Sequence, residues 1–353
     1  MVDRSNFEPL YLQIKNDILR KIEAGEISVG DKLMSESEMM QYYSVGRVTV
    51  RAALAELVSE GCVRKENGFG SVCVGLPHKD TLNIDVLVDN SNIYFTPYLL
   101  KGIGKVLEQN SCNLLLHDTY NSNQRIKDLL RNILLTGSDG VLCQPSNQDP
   151  YGDKELLQML NKVRASGIPL VLFCGVLKNS DCTKLYIDDS HGSNVAAKYL
   201  LACGHRRILG LFAHDTAGFR TEGFLSAIET EPTAKAYLMD WEEGCSKELL
   251  RLIRENNITA IQCVNDLVAT ECMHLLDKNN ISVPDDVSVI GFDNVDIPLE
   301  VTPSLTTVSH PKSSMGSDAA RMLLQQIQSG EQTSCDVIYR PELVIRQSVK
   351  VLK

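Results

Sequence analysis

Apolar residues in the first quarter of the chain recur at helical spacing. Leu10, Ile14, Ile18 and Ile22 stand four residues apart after Pro9 and form one stripe. This spacing predicts a helix, and Gly25 and Gly30 close it off. Ser35-Glu36-Ser37-Glu38 has the Ser-x-x-Glu form of a capping box and predicts a second helix through Met39, Met40 and Tyr43. After the short gap Ser44-Val45-Gly46, a third helix is expected from about Arg47 to Glu60. Its inner face would be Val50, Leu54, Leu57 and Val58, with Gly61 as terminator. Cys62 to Lys65 and Ser71 to Val74 read as strands around Glu66-Asn67-Gly68-Phe69-Gly70, where Asn-Gly is a hairpin signal. Helices joined by a tight turn and followed by a hairpin give a winged helix-turn-helix outline. A small helical cap or dimerisation module has the same outline.

The texture changes near residue 76. Gly75-Leu76-Pro77-His78-Lys79-Asp80 is a breaker-rich seam. Beyond it, strand runs are expected at Ile84 to Val88, Asn113 to Leu116, Gly140 to Cys143, Leu170 to Cys174, Lys184 to Ile187, Ile208 to Phe212, Ala260 to Val264 and Val287 to Gly291. Most are continuously apolar rather than alternating, as in parallel sheets covered on both faces. Helical segments at Gln124 to Leu135, Asp153 to Ser166, Ser190 to Cys203 and Asp266 to Lys278 separate them. The repeat predicts an α/β, doubly wound architecture, with strands enough for two lobes. The expected partition is therefore 1–76 for the winged head, 77–81 for a linker and 82–353 for a two-lobed body. The first lobe would hold about 82–187 and 311–336, the second about 188–308 and 338–353.

A length of 353 residues fits this division. The net charge of −10 excludes a uniformly basic nucleic-acid coat but not a local basic tip. Residues 1–78 carry nine lysines and arginines against eleven acidic residues, so placement decides. Arg47, Thr49 and Arg51 fall in the first turns of the third helix, and Arg64 and Lys65 lead into the hairpin. No apolar run approaches the ~20 residues of a membrane span, and the first residues lack a signal pattern. A cytoplasmic protein without a membrane partner is expected. The 11 cysteines are scattered, with no Cys-x-x-Cys pair or zinc spacing, and read as reduced core residues.

Enzyme constellations do not emerge. Gly102-Ile103-Gly104 lacks the third glycine of a dinucleotide fingerprint and lies inside a helix. No phosphate loop, Gly-x-Ser-x-Gly or His-Glu-x-x-His is present. Asp188-Asp189 looks like a carboxylate pair, but adjacent strand residues face opposite ways, which favours a cap or hinge. No catalytic residue, metal or cofactor is expected. What remains is a polar set suited to sugar hydroxyls: Arg220, Asn265-Asp266 and Asp293-Asn294, most of it after strand ends, where open α/β sheets bind ligands. Simple helix capping is the competing explanation for Asn265, Asp266 and Asp293.

Two resemblances bear on these alternatives. Pro9 to Ile14, Gly30-Asp31-Lys32-Leu33, Ser35-Glu36, Arg47 to Leu54, Glu60-Gly61 and Gly68-Phe69-Gly70 resemble a GntR-family DNA-binding domain across residues 7–74. The resemblance implies operator contacts from Ser35, Arg47, Thr49 and Arg51, with Asn67 and Gly68 at the wing tip. The chain departs from the family at Met34 (usually Pro), Ser37 (usually Arg) and Gly46 (usually Ser or Thr). Gly204-His205-Arg206-Arg207-Ile208, Arg220 to Phe224, Val264-Asn265-Asp266, Val283 to Asn294 and Thr302 to Val308 resemble the LacI/GalR effector domain, itself similar to periplasmic sugar-binding proteins. That resemblance implies effector contacts at Arg220, Asn265 and Asp293, with Phe95 in the first βα loop. Cys174 stands where many members have an Asp, a change that bears on the choice of sugar. Residues 229–243 are short for the family, and a trimmed outer βα unit is expected.

A GntR-type head on a LacI-type body is the layout of arabinose-repressor-like regulators. It implies a homodimeric repressor of a carbohydrate-utilisation operon, bound to double-stranded operator DNA and released by a monosaccharide such as L-arabinose or L-fucose. Hinge crossings are expected near Ile187 to Asp189, Val308 to Pro311 and Cys335 to Tyr339. The alternative is a sugar-processing enzyme or sugar-binding module with an appended interaction domain.

Overall fold

In a computed structural model that describes residues 9–66, 70–75, 81–91, 95–146, 154–212, 218–242, 244–296 and 302–352, the chain divides into two units, Met1–Thr81 and Leu82–Lys353. The first contains α1 (Leu10–Glu23), α2 (Glu36–Tyr43), α3 (Arg47–Ser59), β1 (Val63–Glu66) and β2 (Gly70–Cys73). Ser35 accepts the Glu38 amide while its own amide donates to the Glu38 carboxylate, so the capping box starts α2. Ser44, at φ 53, turns the chain toward α3. Ile14 and Ile18 of α1, Met39 and Tyr43 of α2, and Val50, Ala53, Leu54 and Leu57 of α3 form the core with Cys62 and Cys73 of the hairpin. Ala53, not Val58, completes the inner face of α3. Val58 lies one position past the apolar stripe and is 37% exposed. β1 and β2 pair antiparallel, with Glu66 opposite Gly70. Asn67 and Gly68 lie outside the described residues.

The second unit holds two six-stranded sheets. The first contains β3 (Asn83–Val88), β4 (Asn113–Asp118), β5 (Gly140–Cys143), β6 (Leu170–Phe173), β7 (Thr183–Ile187) and β13 (Asp336–Tyr339), in the order β13-β7-β6-β5-β3-β4. All its pairs are parallel. Its helices are α4 (Thr96–Gln109), α5 (Asn123–Thr136), α6 (Lys154–Ala165) and α11 (Lys312–Ser329). The apolar strand runs have a direct cause. Val86 and Leu142 pack with α4 and α11, while Leu87, Val141 and Cys143 pack with α5 and α6 on the other face.

The second sheet contains β8 (Arg207–Leu211), β9 (Lys235–Met239), β10 (Ala260–Cys263), β11 (Ser288–Asp293), β12 (Thr306–Ser309) and β14 (Glu342–Val344), in the order β14-β12-β11-β10-β8-β9. Among the described residues, only β14, at its edge, is antiparallel to its neighbour. Its helices are α7 (Asp189–Ala202), α8 (Gly218–Ile228), α9 (Ser246–Asn256) and α10 (Asp266–Lys278).

Three expectations change. The outer βα unit is present rather than trimmed: β9 pairs with β8 over Lys235 to Met239, and α9 follows. The strand sits at a sheet edge and is half exposed, and its apolar run Ala236 to Met239 falls inside the segment expected to be trimmed. Four short strands of the body, β9, β12, β13 and β14, escape the reading of apolar runs. The third lobe crossing falls at Arg340–Pro341, beyond the expected 338, because Ile338 and Tyr339 still pair with Tyr186 and Ile187 in the first sheet. The other two crossings lie between Ile187 and Asp189 and between Ser309 and Lys312. Eight of the 11 cysteines are buried, and Cys335 is exposed.

Gly102, considered and set aside as part of a dinucleotide fingerprint, is a packing glycine. A Cβ there would meet the Ser313 carbonyl oxygen at 2.0 Å, and one on Gly316 would meet the Leu99 carbonyl oxygen at 2.2 Å. α4 and α11 therefore touch backbone to backbone. Gly102→Ala should destabilise the chain by about 1–3 kcal/mol through overpacking. Gly104→Ala adds a Cβ that meets nothing within 4 Å and should be neutral or slightly stabilising. Thermal denaturation of both variants checks the pair; equal melting temperatures would contradict the close approach.

Candidate functional site

The head presents one polar face. Gly46 starts α3 without a side-chain cap, which leaves its first amides available to an anion. Arg47 and Arg51 are one turn apart and exposed, and Thr49 is half-buried between them. Glu36 in the first turn of α2 fastens both cations. Its carboxylate accepts from Arg51 Nε at 3.0 Å and lies 4.0 Å from Arg47 Nε. Val48, 83% exposed, adds an apolar contact point between the arginines. Ser35 is committed to the capping box, so its first task is structural. Glu36 was not singled out in the sequence, although the same capping box places it in the first turn.

The body gathers a second polar set between its two sheets. Arg220, in the first turn of α8, is held on every side. Its Nε donates to Asp189 Oδ1 at 2.7 Å, and its Nη1 donates to the Val264 carbonyl. Its Nη2 donates to Asp293 Oδ1 at 3.4 Å. The guanidinium carbon lies 3.7 Å from the centroid of the Phe292 ring, a stacked cation–π arrangement. Asp293 ends β11 at φ 100, a left-handed backbone that non-glycine residues rarely adopt. His310 Nε2 lies 3.2 Å from the same Oδ1.

Asp188-Asp189 divides its roles. Asp188 caps α7 by accepting the His191 amide. Asp189 turns to Arg220, because the strand has ended and side-chain alternation no longer applies. Asn265 performs the capping role considered for it: Oδ1 accepts the Val268 amide at 2.8 Å. Asp266 is buried behind this wall, accepting from Thr307 Oγ1 and from the Val295 amide at 3.0 Å. A Cβ on Gly291 would lie 2.3 Å from Asp266 Oδ1, so glycine leaves room for the carboxylate. Burial pushes the Asp266 carboxyl up to about 7.

The first lobe contributes at its own strand ends. Cys174 follows β6 at φ 51 and is buried. Burial raises its thiol, and the carboxylates of Asp189, Asp293 and Asp89 all act on it. Asp89, which follows β3, has its carboxyl raised by burial. Phe95 stands just before α4, without a side-chain capping bond, and packs partly against the first-lobe core. Lys312, at the start of α11, donates to the carbonyls of Asp293 and Asn294 across the lobes, and burial lowers its ammonium. Tyr98 Oη donates to Asp296 Oδ2 at 3.0 Å and accepts the Asp296 amide at 3.2 Å. The structure thus brings Cys174, Arg220 and Asp293 together and adds Asp89, Asp189, His310 and Lys312. Their one-dimensional signal was weak, since each is an isolated polar residue beside a strand or helix end. Among the described residues, no group of three or more His, Cys, Asp or Glu is placed to hold a metal ion, and no helix is long and apolar enough to cross a membrane.

This combination defines a transcription regulator with a separate ligand-binding body. Residues 10–72 match the bacterial regulatory proteins of the gntR family, and residues 197–349 match the periplasmic binding protein-like domain. Over 97% of its length the chain is 33% identical to an arabinose metabolism transcriptional repressor of Geobacillus stearothermophilus, covering 98% of that protein. A second repressor of the same description, from Halalkalibacterium halodurans, is 29% identical over 98% of both chains. The chain belongs to this family of transcriptional repressors with a GntR-type head and a LacI-type body. A LacI family regulator from Enterococcus faecalis V583, solved with bound ribose, matches with a TM-score of 0.64 and 26% identity. That match covers 77% of this chain and 100% of that one.

Asp266 yields a pH test. Its carboxyl is raised from 3.8 to about 7 in the folded chain. The protonated form therefore favours folding, and that contribution is lost as pH rises from about 4 through about 7. Asp266→Asn removes the titration, so its melting temperature relative to the native chain should climb across this window. A constant difference between pH 4 and pH 8 would contradict the burial argument.

Proposed function

We propose that the chain is a sugar-responsive repressor whose body closes on L-arabinose and whose head then leaves double-stranded operator DNA. The fixed Arg220 guanidinium carries this reading. Its edges are held by Asp189, Asp293 and the Val264 carbonyl, and its face by Phe292. Such a group, flanked by two carboxylates of the second lobe, suits paired hydrogen bonds to vicinal hydroxyls of a monosaccharide. Asp293, Asn265 through its amide nitrogen, and Cys174 complete the proposed effector set, with Phe95 at its edge. The curated relatives are named for arabinose metabolism, which favours L-arabinose over L-fucose. The ribose held by the Enterococcus regulator supports a pentose-sized site.

The lobes are joined by three crossings, by the Tyr98–Asp296 pair and by Lys312. A sugar that binds the closed arrangement better shifts the equilibrium toward it. In a homodimer, closure changes the separation of the two heads, which must meet half-sites about one helical turn apart, ~34 Å. Arg47, Thr49 and Arg51 read the major groove in this proposal, with Ser35 near the backbone and Asn67 and Gly68 at the wing tip.

Two variants separate the functions. Arg51→Ala should lower operator affinity by about 10- to 100-fold, the range of a lost base contact, and leave sugar affinity unchanged. Asp293→Ala should do the reverse: calorimetry should show at least tenfold weaker L-arabinose binding, while the gel shift is retained but no longer released by sugar. Undiminished DNA retention by Arg51→Ala, or undiminished sugar affinity in Asp293→Ala, would remove the corresponding assignment.

A further inference from the structure

A cavity of about 240 Å³ lies beside the Arg220 cluster, between the lobes. Val176, Tyr186 and Asp336 line it from the first lobe, and Asp189, Ser190 and Phe219 from the second. Asp189 belongs to both places: its Oδ1 holds Arg220 Nε at 2.7 Å, and the residue also forms part of the cavity wall. Arg220 and Phe219 are adjacent in the first turn of α8, so one helix start serves the cluster and the cavity.

The lining selects a class of ligand. Phe219 and Tyr186 offer aromatic surface to the C–H face of a ring. Ser190 and the carboxylates of Asp188, Asp189 and Asp336 offer acceptors to hydroxyls. An anion is disfavoured, because three carboxylates stand against two ammonium groups. One of these, Lys184, is already committed to the Ser180 carbonyl at 2.8 Å and to Asp336 at 3.1 Å. The other, Lys178, sits 5.0 Å from the Phe219 ring centroid. A neutral, polyhydroxylated ring satisfies both the aromatic and the carboxylate walls.

We infer that this cavity is a subsite for a second sugar ring, so that the body binds a disaccharide across Asp189, with one ring at Arg220 and the other against Phe219 and Tyr186. The inference rests on the proposed sugar reading of the Arg220 cluster and deepens it. Because the cavity walls come from both lobes, a second ring adds contacts that exist only when the lobes are together. The disaccharide should therefore be both the tighter ligand and the stronger inducer.

The test compares L-arabinose with α-1,5-linked L-arabinobiose by calorimetry on the full chain and on two variants. Val176→Trp fills the cavity, and Tyr186→Ala removes one wall. The disaccharide should bind the native chain about tenfold tighter or more, the size of one or two net hydrogen bonds. Both variants should bring it down to the affinity of L-arabinose while leaving L-arabinose itself unchanged. A disaccharide that binds no tighter than the monosaccharide, or that keeps its advantage in Val176→Trp, overturns the subsite and leaves the Arg220 reading standing. Binding of neither sugar to the native chain overturns the Arg220 reading and the subsite with it.

Discussion

The guanidinium of Arg220 is the fixed point of the body. A buried cation is costly unless every face is matched, and here four residues meet that demand. Asp189 comes from the start of α7, Val264 from the end of β10, and Phe292 and Asp293 from the end of β11. Each imposes a local condition in turn. Gly192 must lack a Cβ, which would meet the Phe292 ring at 2.8 Å. Asp293 must hold a left-handed backbone to aim its carboxylate. Gly291 must leave room for buried Asp266, whose carboxylate accepts the Val295 amide and so supports the segment after Asp293. The same packing that stabilises the second lobe thereby pre-organises the charge proposed to face the ligand.

The first lobe answers this charge with fewer and softer groups. Cys174 follows the end of β6, and its thiol stays neutral because burial disfavours the thiolate. Asp89 is also raised by burial. The cleft is therefore asymmetric, strongly ionic on the second-lobe wall and weakly so on the first.

Much of this architecture was legible in the sequence. Helix stripes, the Ser35 capping box and the Asn-Gly hairpin gave the head, because those signals are local. Continuous apolar runs gave the central strands. β9 was missed because its apolar run lies in a segment read as trimmed, and β12, β13 and β14 because polar residues interrupt their three or four positions. Arg220 and Asp293 could be picked out beside motifs. Asp189 was noticed as a cap or hinge residue, and His310 and Lys312 not at all, since these three join the cluster through strand-to-helix crossings that bring residues distant in sequence together. Local patterns carry no record of such long-range meetings. Asn265 shows the converse, because a residue chosen for binding also proved to be a cap.

Effector and operator are proposed to be coupled through one chain, and thermodynamic reciprocity measures that coupling. Operator affinity is measured with and without saturating L-arabinose at one fixed salt concentration, and L-arabinose affinity is measured with and without saturating operator. The account predicts that each ligand weakens the other by the same factor, of the order of 5- to 150-fold. Sugar binding that leaves operator affinity unchanged, with operator leaving sugar affinity unchanged, would contradict it.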